Sequence, residues 1–195
     1  MTISKRQVRK DQTQKQLIAV AFDEFSREGF MVTRTSDIAK AAGVSHGTIF
    51  AHFATREDLL IAVIEEFGHR VAGRMHELAN QGGSVREVLE AHLQGLTEVE
   101  AFYRRLVSES SLLPSGAQSA LVAIQSAISI HLSQAAEQEM AAGKIRKIPL
   151  HLLFNTWIGL IHYYLSNAPL FAPGESVLKR YGPELLEYFV SLITV

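Results

Sequence analysis

Cysteine is absent from the 195 residues of this chain. Disulfides, thiol nucleophiles and thiolate metal sites are excluded with it. No glycine-rich phosphate loop follows a strand-like run, and no nucleophile–base pair stands at a recognisable spacing, so no enzymatic activity is expected. There are eight histidines, but none falls in an HxxxH or HExxH pattern. His69 and His76 share a helix only at i, i+7. No metal site and no cofactor is expected. Proline is scarce, at five residues, and β-type alternation is missing throughout, which leaves an all-α chain.

Long hydrophobic runs are missing too. The longest apolar stretch, Ile148 to Leu165, is interrupted by His151, Asn155 and His162. It reads as a buried helix, and no membrane is expected as a partner. The leading MTISKRQVRKDQTQK carries charge without an apolar core, so it does not read as a signal peptide, and a cytoplasmic location is expected. A global basic signal for nucleic acid is absent, since the net charge is −1. The distribution is uneven, however. Residues 1–56 hold nine Lys/Arg against five Asp/Glu, and residues 57–195 hold ten against fifteen. A basic head on an acidic body is the charge pattern of a local DNA footprint.

The most informative segment is present rather than missing. Residues Thr35 to Leu60 read TSDIAKAAGVSHGTIFAHFATREDLL. Thr35 can cap a first short helix, in which Ile38 and Ala42 share a face and Ala39 leaves room for a crossing helix. Gly43 stands where the chain must leave that helix, a position that favours a residue free to adopt positive φ. Val44 plugs the turn and Ser45 caps the next helix. There Ile49 and Phe53 form the inward stripe. The outward side carries Gly47, Thr48 and Ala51, flanked by Phe50 and His52. So small and carboxylate-poor a face suits insertion into the major groove, as in the second helix of a helix-turn-helix. Upstream, AFDEFSREGF ends a helix at Gly29. Counting from Gly29 places Phe25 and Phe30 in the apolar contact of a Schellman cap. Downstream, Thr55–Asp58 opens a long helix with a capping-box-like TRED.

From about Leu17 to Phe67 the chain resembles the N-terminal domain of the tetracycline-repressor (TetR) family. The motif reads here EGF…T…IA..AGVS.GT.F.HF.T.EDLL. The resemblance implies an all-α fold of about nine helices. It implies an N-terminal three-helix DNA-binding domain with a basic arm over 1–55, and a helical effector-binding and dimerisation domain over 56–195. It implies a homodimer, a double-stranded DNA operator and a small-molecule effector of unknown identity. Residues Arg34, Thr35, Ser45, His46, Gly47, Thr48, Phe50, Ala51 and His52 are the expected DNA contacts. Two departures stand among them. The family usually has lysine where His46 stands, and commonly tyrosine, with a phosphate-binding hydroxyl, where Phe50 stands. Few long polar side chains reach out, so DNA shape is expected to share in specificity.

Beyond the motif the chain reads as a disordered basic arm to about residue 10, then helices over 11–28, 56–80, 85–113 with a break near Glu100, 117–142, 149–167 and 175–192. GlnGlyGlySer at 81–84 is a break, Pro169, Pro173 and Gly174 mark a loop, and Gly182-Pro183 could interrupt the last helix. The last two long helices are apolar nearly all round, which calls for two buried faces each. Trp157, Ile161, Tyr164, Leu185, Phe189 and Ile193 are accordingly expected at a two-fold interface. Polar and aromatic groups embedded in apolar helices, namely Phe102, Tyr103, Gln125, His131, Asn155, Trp157 and His162, are the expected effector pocket. Two alternatives stay open. One is a DNA-binding regulator without a small-molecule effector. The other is a helical ligand-binding or enzymatic bundle with a vestigial helix-turn-helix.

Overall fold

The computed structural model describes residues 4–79 and 83–195, with 74–79 described by their backbone alone. Its described residues form ten α-helices and no strand, with a lone bridge between Ile145 and Thr194. The first three are α1 (Lys5–Glu28), α2 (Thr35–Ala41) and α3 (His46–His52). The long α4 (Arg56–Ala79) leads to α5 (Val85–Glu98), α6 (Glu100–Glu109) and a 3-10 turn (Ser110–Leu112). Then come α7 (Ser115–Ala141), α8 (Leu150–Ser166), the short α9 (Ala168–Phe171) and α10 (Val177–Ile193). None of these helices is long and apolar enough to cross a membrane.

Several boundaries differ from the sequence reading. The expected flexible arm is helical from Lys5 onward. Ser4 caps α1 by accepting from the Arg6 N–H, and Gln7 donates to Asp11 one turn on. No glycine or proline interrupts that segment, so the helix extends until Gly29 stops it. The expected break near Glu100 is real and falls at Val99 (φ −120°, ψ 24°). Part of the expected loop after Asn167 is the single turn α9. Pro183 does not interrupt α10, because it sits on the exposed side, where water can satisfy the carbonyl it leaves free. Of the expected break at 81–84, Gln81 and Gly82 lie outside the described residues. Ser84 opens α5 with a capping box, its hydroxyl on the Glu87 N–H and the Glu87 carboxylate on its own N–H.

One core runs through head and body. Leu17, Phe25, Ile38, Ile49, Leu60 and Ile64 are fully buried where α1, α2, α3 and the start of α4 meet. Phe102 of α6 then reaches into the head. It stacks on Phe22 of α1 at 4.2 Å, meets Phe30 edge-on at 5.2 Å and stacks against Phe67 of α4 at 5.5 Å. Such ring pairs add about 0.5–1.5 kcal/mol each beyond area burial. The body closes around α4 by close helix crossings. A Cβ at Gly95 would lie 3.2 Å from the Val71 backbone, and one at Gly68 would lie 2.7 Å from Ile124.

Candidate nucleic-acid interface

The turn between α2 and α3 is a Schellman motif centred on Gly43 (φ +68°). Gly43 N–H donates to Lys40 O (3.2 Å) and Val44 N–H to Ala39 O (3.0 Å). The sequence predicts such a motif at Gly29. There the backbone bond is an ordinary helical one, Gly29 N–H to Phe25 O, although the Phe25–Phe30 ring contact is present at 5.3 Å. Gly29 is nonetheless required. Its φ is +96°, and a Cβ would fall 2.5 Å from a Glu109 carboxylate oxygen.

Capping at α2 is shared out differently from the expectation. Arg34 occupies the cap position and Thr35 is the first helical residue. The Asp37 carboxylate accepts from the Arg34 N–H at 3.2 Å. The Thr35 hydroxyl is therefore free to lie 2.8 Å from His46 Nε2, which bridges the starts of α2 and α3. Ser45 caps α3 as expected, accepting from the Thr48 N–H at 3.2 Å and sharing a 2.8 Å bond with the Thr48 hydroxyl.

The outward side of α3 is built from the expected residues. Ile49 and Phe53 are buried against the core, which turns His46, Gly47, Phe50 and Ala51 to the surface. Phe50 is 45% exposed, and its ring meets that of His46 edge-on at 5.0 Å. A Cβ at Gly47 would approach nothing closer than Ser45 Oγ at 3.9 Å, so the backbone there is open to a partner. His52 is half-buried, and its Nδ1 is buried without a hydrogen-bond partner. Of the nine expected contact residues, Arg34, Ser45, His46, Gly47, Phe50 and Ala51 are exposed, and Thr35, Thr48 and His52 are half-buried.

Three positioning groups escaped the sequence reading. Arg56 opens α4 and donates to Phe30 O and Thr33 O, which pins the loop before α2. Arg105 and Glu109, one turn apart on α6, grip the end of α1 and the loop after it. Arg105 donates to Arg27 O (2.8 Å), and Glu109 accepts from the Met31 N–H (3.0 Å). Because these bonds go to backbone atoms, no residue pattern announces them.

The residues expected to line an effector pocket do not surround one cavity. Phe102, Tyr103 and Trp157 are packed core residues. Tyr103 OH pairs with His162 Nε2 at 2.6 Å, and Trp157 Nε1 donates to His92 Nδ1 at 3.0 Å. Burial holds the Tyr103 hydroxyl well above its ordinary range and pushes the His162 imidazole down. His92, fully enclosed, is pushed down to about 4, by burial first and by the nearby His162 second. Asn155 and His131 are exposed, and Gln125 is half-buried on α7. Open apolar space lies instead in a groove of about 660 Å³ between α4 and α7, whose walls include Gly68, His69, Ala72, Ala123, Ile124, Ala127 and His131. Among the described residues no group of three or more His, Asp or Glu is placed to hold a metal ion; the side chain of His76 lies outside them.

The expected interface residues also need correction. Trp157, Ile161, Leu185, Phe189 and Ile193 are buried within the single protomer, and Tyr164 is half-buried against Phe171 and Tyr181. A helix apolar on all sides gives periodicity no means of choosing which face turns inward. The outward faces carry Leu152 and Tyr163 on α8 and Tyr188 and Leu192 on α10, all exposed.

A helix-turn-helix head thus shares its core with a helical body. Residues 17–63 match the family described as bacterial regulatory proteins, tetR family. The fatty acid metabolism regulator protein of Bacillus subtilis is 34% identical over 74 residues, 38% of each chain. The transcriptional repressor KstR2 of Rhodococcus jostii is 30% identical over 76 residues, 39% of this chain and 37% of that protein. These matches thus span about two fifths of the length of the curated relatives. Over nearly the whole chain the fold is that of a TetR-family regulator structure from Rhodococcus sp., with a TM-score of 0.80, 20% identity, and 93% and 98% coverage. FadR of Bacillus subtilis in complex with stearoyl-CoA is also similar, with a TM-score of 0.73, 22% identity, and 91% and 97% coverage. The similarity to the TetR family thus rests on residues 17–63 in sequence and on the fold over the rest of the chain.

Proposed function

We propose that the chain is a cytoplasmic, homodimeric transcriptional regulator that represses by binding a palindromic operator and is released by a small molecule. The observation that carries the reading is the outward side of α3. Gly47 and Ala51 leave a low ridge, with His46, Thr48, Phe50 and His52 beside it, supported by a buried Ile49 and Phe53. A ridge of that shape can lie in the major groove while Arg34 and His52 reach phosphates. Residues 1–55 form the DNA-binding domain in this reading, and 56–195 the effector and dimerisation domain. The dimer forms through the exposed faces of α8 and α10, around Leu152, Tyr163, Tyr188 and Leu192.

An apolar effector suits the groove between α4 and α7, whose walls are mostly Gly, Ala and Ile. The curated and structural relatives named for fatty acid metabolism and stearoyl-CoA support that class of ligand. A shift of α4 or α6 would be felt in the head, because Phe102, Arg105 and Glu109 tie α6 to α1 and its following loop. Coupling of ~1–3 kcal/mol gives a roughly 5- to 150-fold change in affinity. The dense packing at Phe102, Tyr103 and Trp157 favours, as a second reading, regulation without a small molecule. The test is binding to labelled duplex DNA at low and high salt. The reading expects tight, salt-sensitive binding that Gly47→Trp abolishes in a folded dimer. A wild-type protein that ignores duplex DNA at low salt overturns it.

A further inference from the structure

We propose that the outward stripe of α7 is a second contact between copies of this chain, in which two α7 helices cross antiparallel on a two-fold axis at Ser126. At 27 residues α7 is the longest described helix. Its inner side packs on α4, α5 and α8 through Ile128, Leu132, Ala135 and Ala136. Its outer side is marked by what it lacks. From Ser115 to Ala136 the helix holds no Asp, Glu, Lys or Arg. The exposed sides of α1, α4, α5 and α10 all carry charges. Among the long helices only α8, whose outer face is assigned to the dimer above, shares that absence.

The stripe is apolar as well as uncharged. Val122 and Ile130 are 60% and 57% exposed, with Ser126 midway between them on the same side of the helix. Ala123 and Ala127, both exposed, run beside them. The Ser126 hydroxyl already donates to Val122 O at 2.8 Å, so it asks nothing of a partner. Aligned apolar side chains left in water favour a partner that brings no charge to bury.

A second copy meets that demand. Near a two-fold axis a charge would face its own like, and this stripe carries none. The spacing is also self-complementary. An antiparallel crossing at Ser126 sets Val122 of one copy against Ile130 of the other, Ala123 against Ser129, and Ser119 against Ser133. The nearest charged residue of the helix, Glu137, lies about three turns from the centre, beyond the contact. The stretch from Ser119 to Ser133 spans about 21 Å, and a helix is about 10 Å wide. That strip is small beside the ~800 Å² per partner of a standard interface. The contact is therefore weak alone and joins chains already held close, as dimers on neighbouring sites would be.

The chain has no cysteine, so a single introduced thiol reports one position. With helix axes about 8–10 Å apart and Cα atoms about 2.3 Å from each axis, the two copies of position 126 come within about 3.4–5.4 Å. That overlaps the Cα separation of a disulfide, about 4.4–6.8 Å. The two copies of position 119 stand about 21 Å apart. The experiment oxidises the intact chain with oxidised glutathione and follows covalent pairs by non-reducing electrophoresis. Ser126→Cys should pair several-fold faster than Ser119→Cys at equal concentration. Adding Val122→Glu to the Ser126→Cys chain should lower its rate to that of Ser119→Cys. Adding Ile130→Lys as well should restore it, because positions 122 and 130 meet across the axis. Equal rates for Ser126→Cys and Ser119→Cys overturn the proposal and leave the stripe to solvent or to a different partner. A rate that Val122→Glu does not change overturns it as well.

Discussion

Lowering the pH from neutral towards 4 should loosen the body from its centre, at His92. The ring is 1% exposed, and its Nδ1 accepts the Trp157 Nε1–H at 3.0 Å. The ring proton therefore sits on Nε2, and any second proton must go to the atom at which the indole N–H already points. Burial, with His162 nearby as the smaller cause, pushes the imidazole from 6.5 to about 4. An unfolded chain takes up that proton near 6.5, whereas the folded one resists until about 4. Below the first value the unfolded state binds more protons, so stability is complete above it and falls steadily as the pH drops through the window. At about 1.4 kcal/mol per pH unit the whole window amounts to about 3 kcal/mol. That is a large part of the ~5–15 kcal/mol by which domains are ordinarily stable. His162, also held down by burial, acts in the same direction. Trp157 is the only tryptophan, so intrinsic fluorescence reports on the bond in question. Urea titrations at a series of pH values should show the midpoint falling across this window. His92→Gln keeps an acceptor for the indole and removes the titration, so its midpoint should fall markedly less. A His92→Gln profile that parallels the wild type would refute the reasoning.

Four further outcomes follow from named contacts. Glu100 is buried and accepts from the Val177 and Leu178 N–H groups at 2.9 and 3.1 Å, with Ser176 bonded as well; Glu100→Ala should cost about 1–3 kcal/mol in a chemical denaturation curve. Gly29→Ala meets both positive φ and the Glu109 carboxylate, and should destabilise by ~1–3 kcal/mol, a loss that Glu109→Ala relieves only in part. Ile161→Arg and Phe189→Arg bury a charge inside the protomer and should abolish the cooperative unfolding transition. Tyr163→Arg and Leu192→Arg, on exposed surface, should instead give a folded monomer by sedimentation, and a folded dimer in both variants would move the interface elsewhere.

The helix faces of the head are legible in the sequence and those of the body are not, for a physical reason. In α2 and α3 the amphipathic contrast is sharp, so Ile38, Ile49 and Phe53 could be assigned inward and Gly47 and Ala51 outward from spacing alone. Gly43 and Ser45 carry local chemistry that a short window contains. In α8 and α10 nearly every position is apolar, and the inward side was exchanged for the outward one: Ile161 and Phe189 face the protomer's core, while Tyr163 and Tyr188 face away. The pocket residues went astray similarly. Tyr103, Trp157, His162 and His92 satisfy one another in pairs across helices far apart in sequence, and such pairing cannot be read from one helix at a time. The Thr35–His46 bridge, eleven residues apart, was hidden because Thr35 looked like a cap until Asp37 took over that task.

The central claim is that α3 reads duplex DNA as one of a pair of heads. Selection of the intact chain against a randomised duplex library, with sequencing of what is retained, tests it most directly. The account predicts enrichment of an inverted repeat whose half-sites lie about 34–36 Å apart, one helical turn, or a multiple of it. Gly47→Trp, folded and dimeric, should enrich nothing. Retention of duplexes without any common sequence, or of the same repeat by Gly47→Trp, would contradict it.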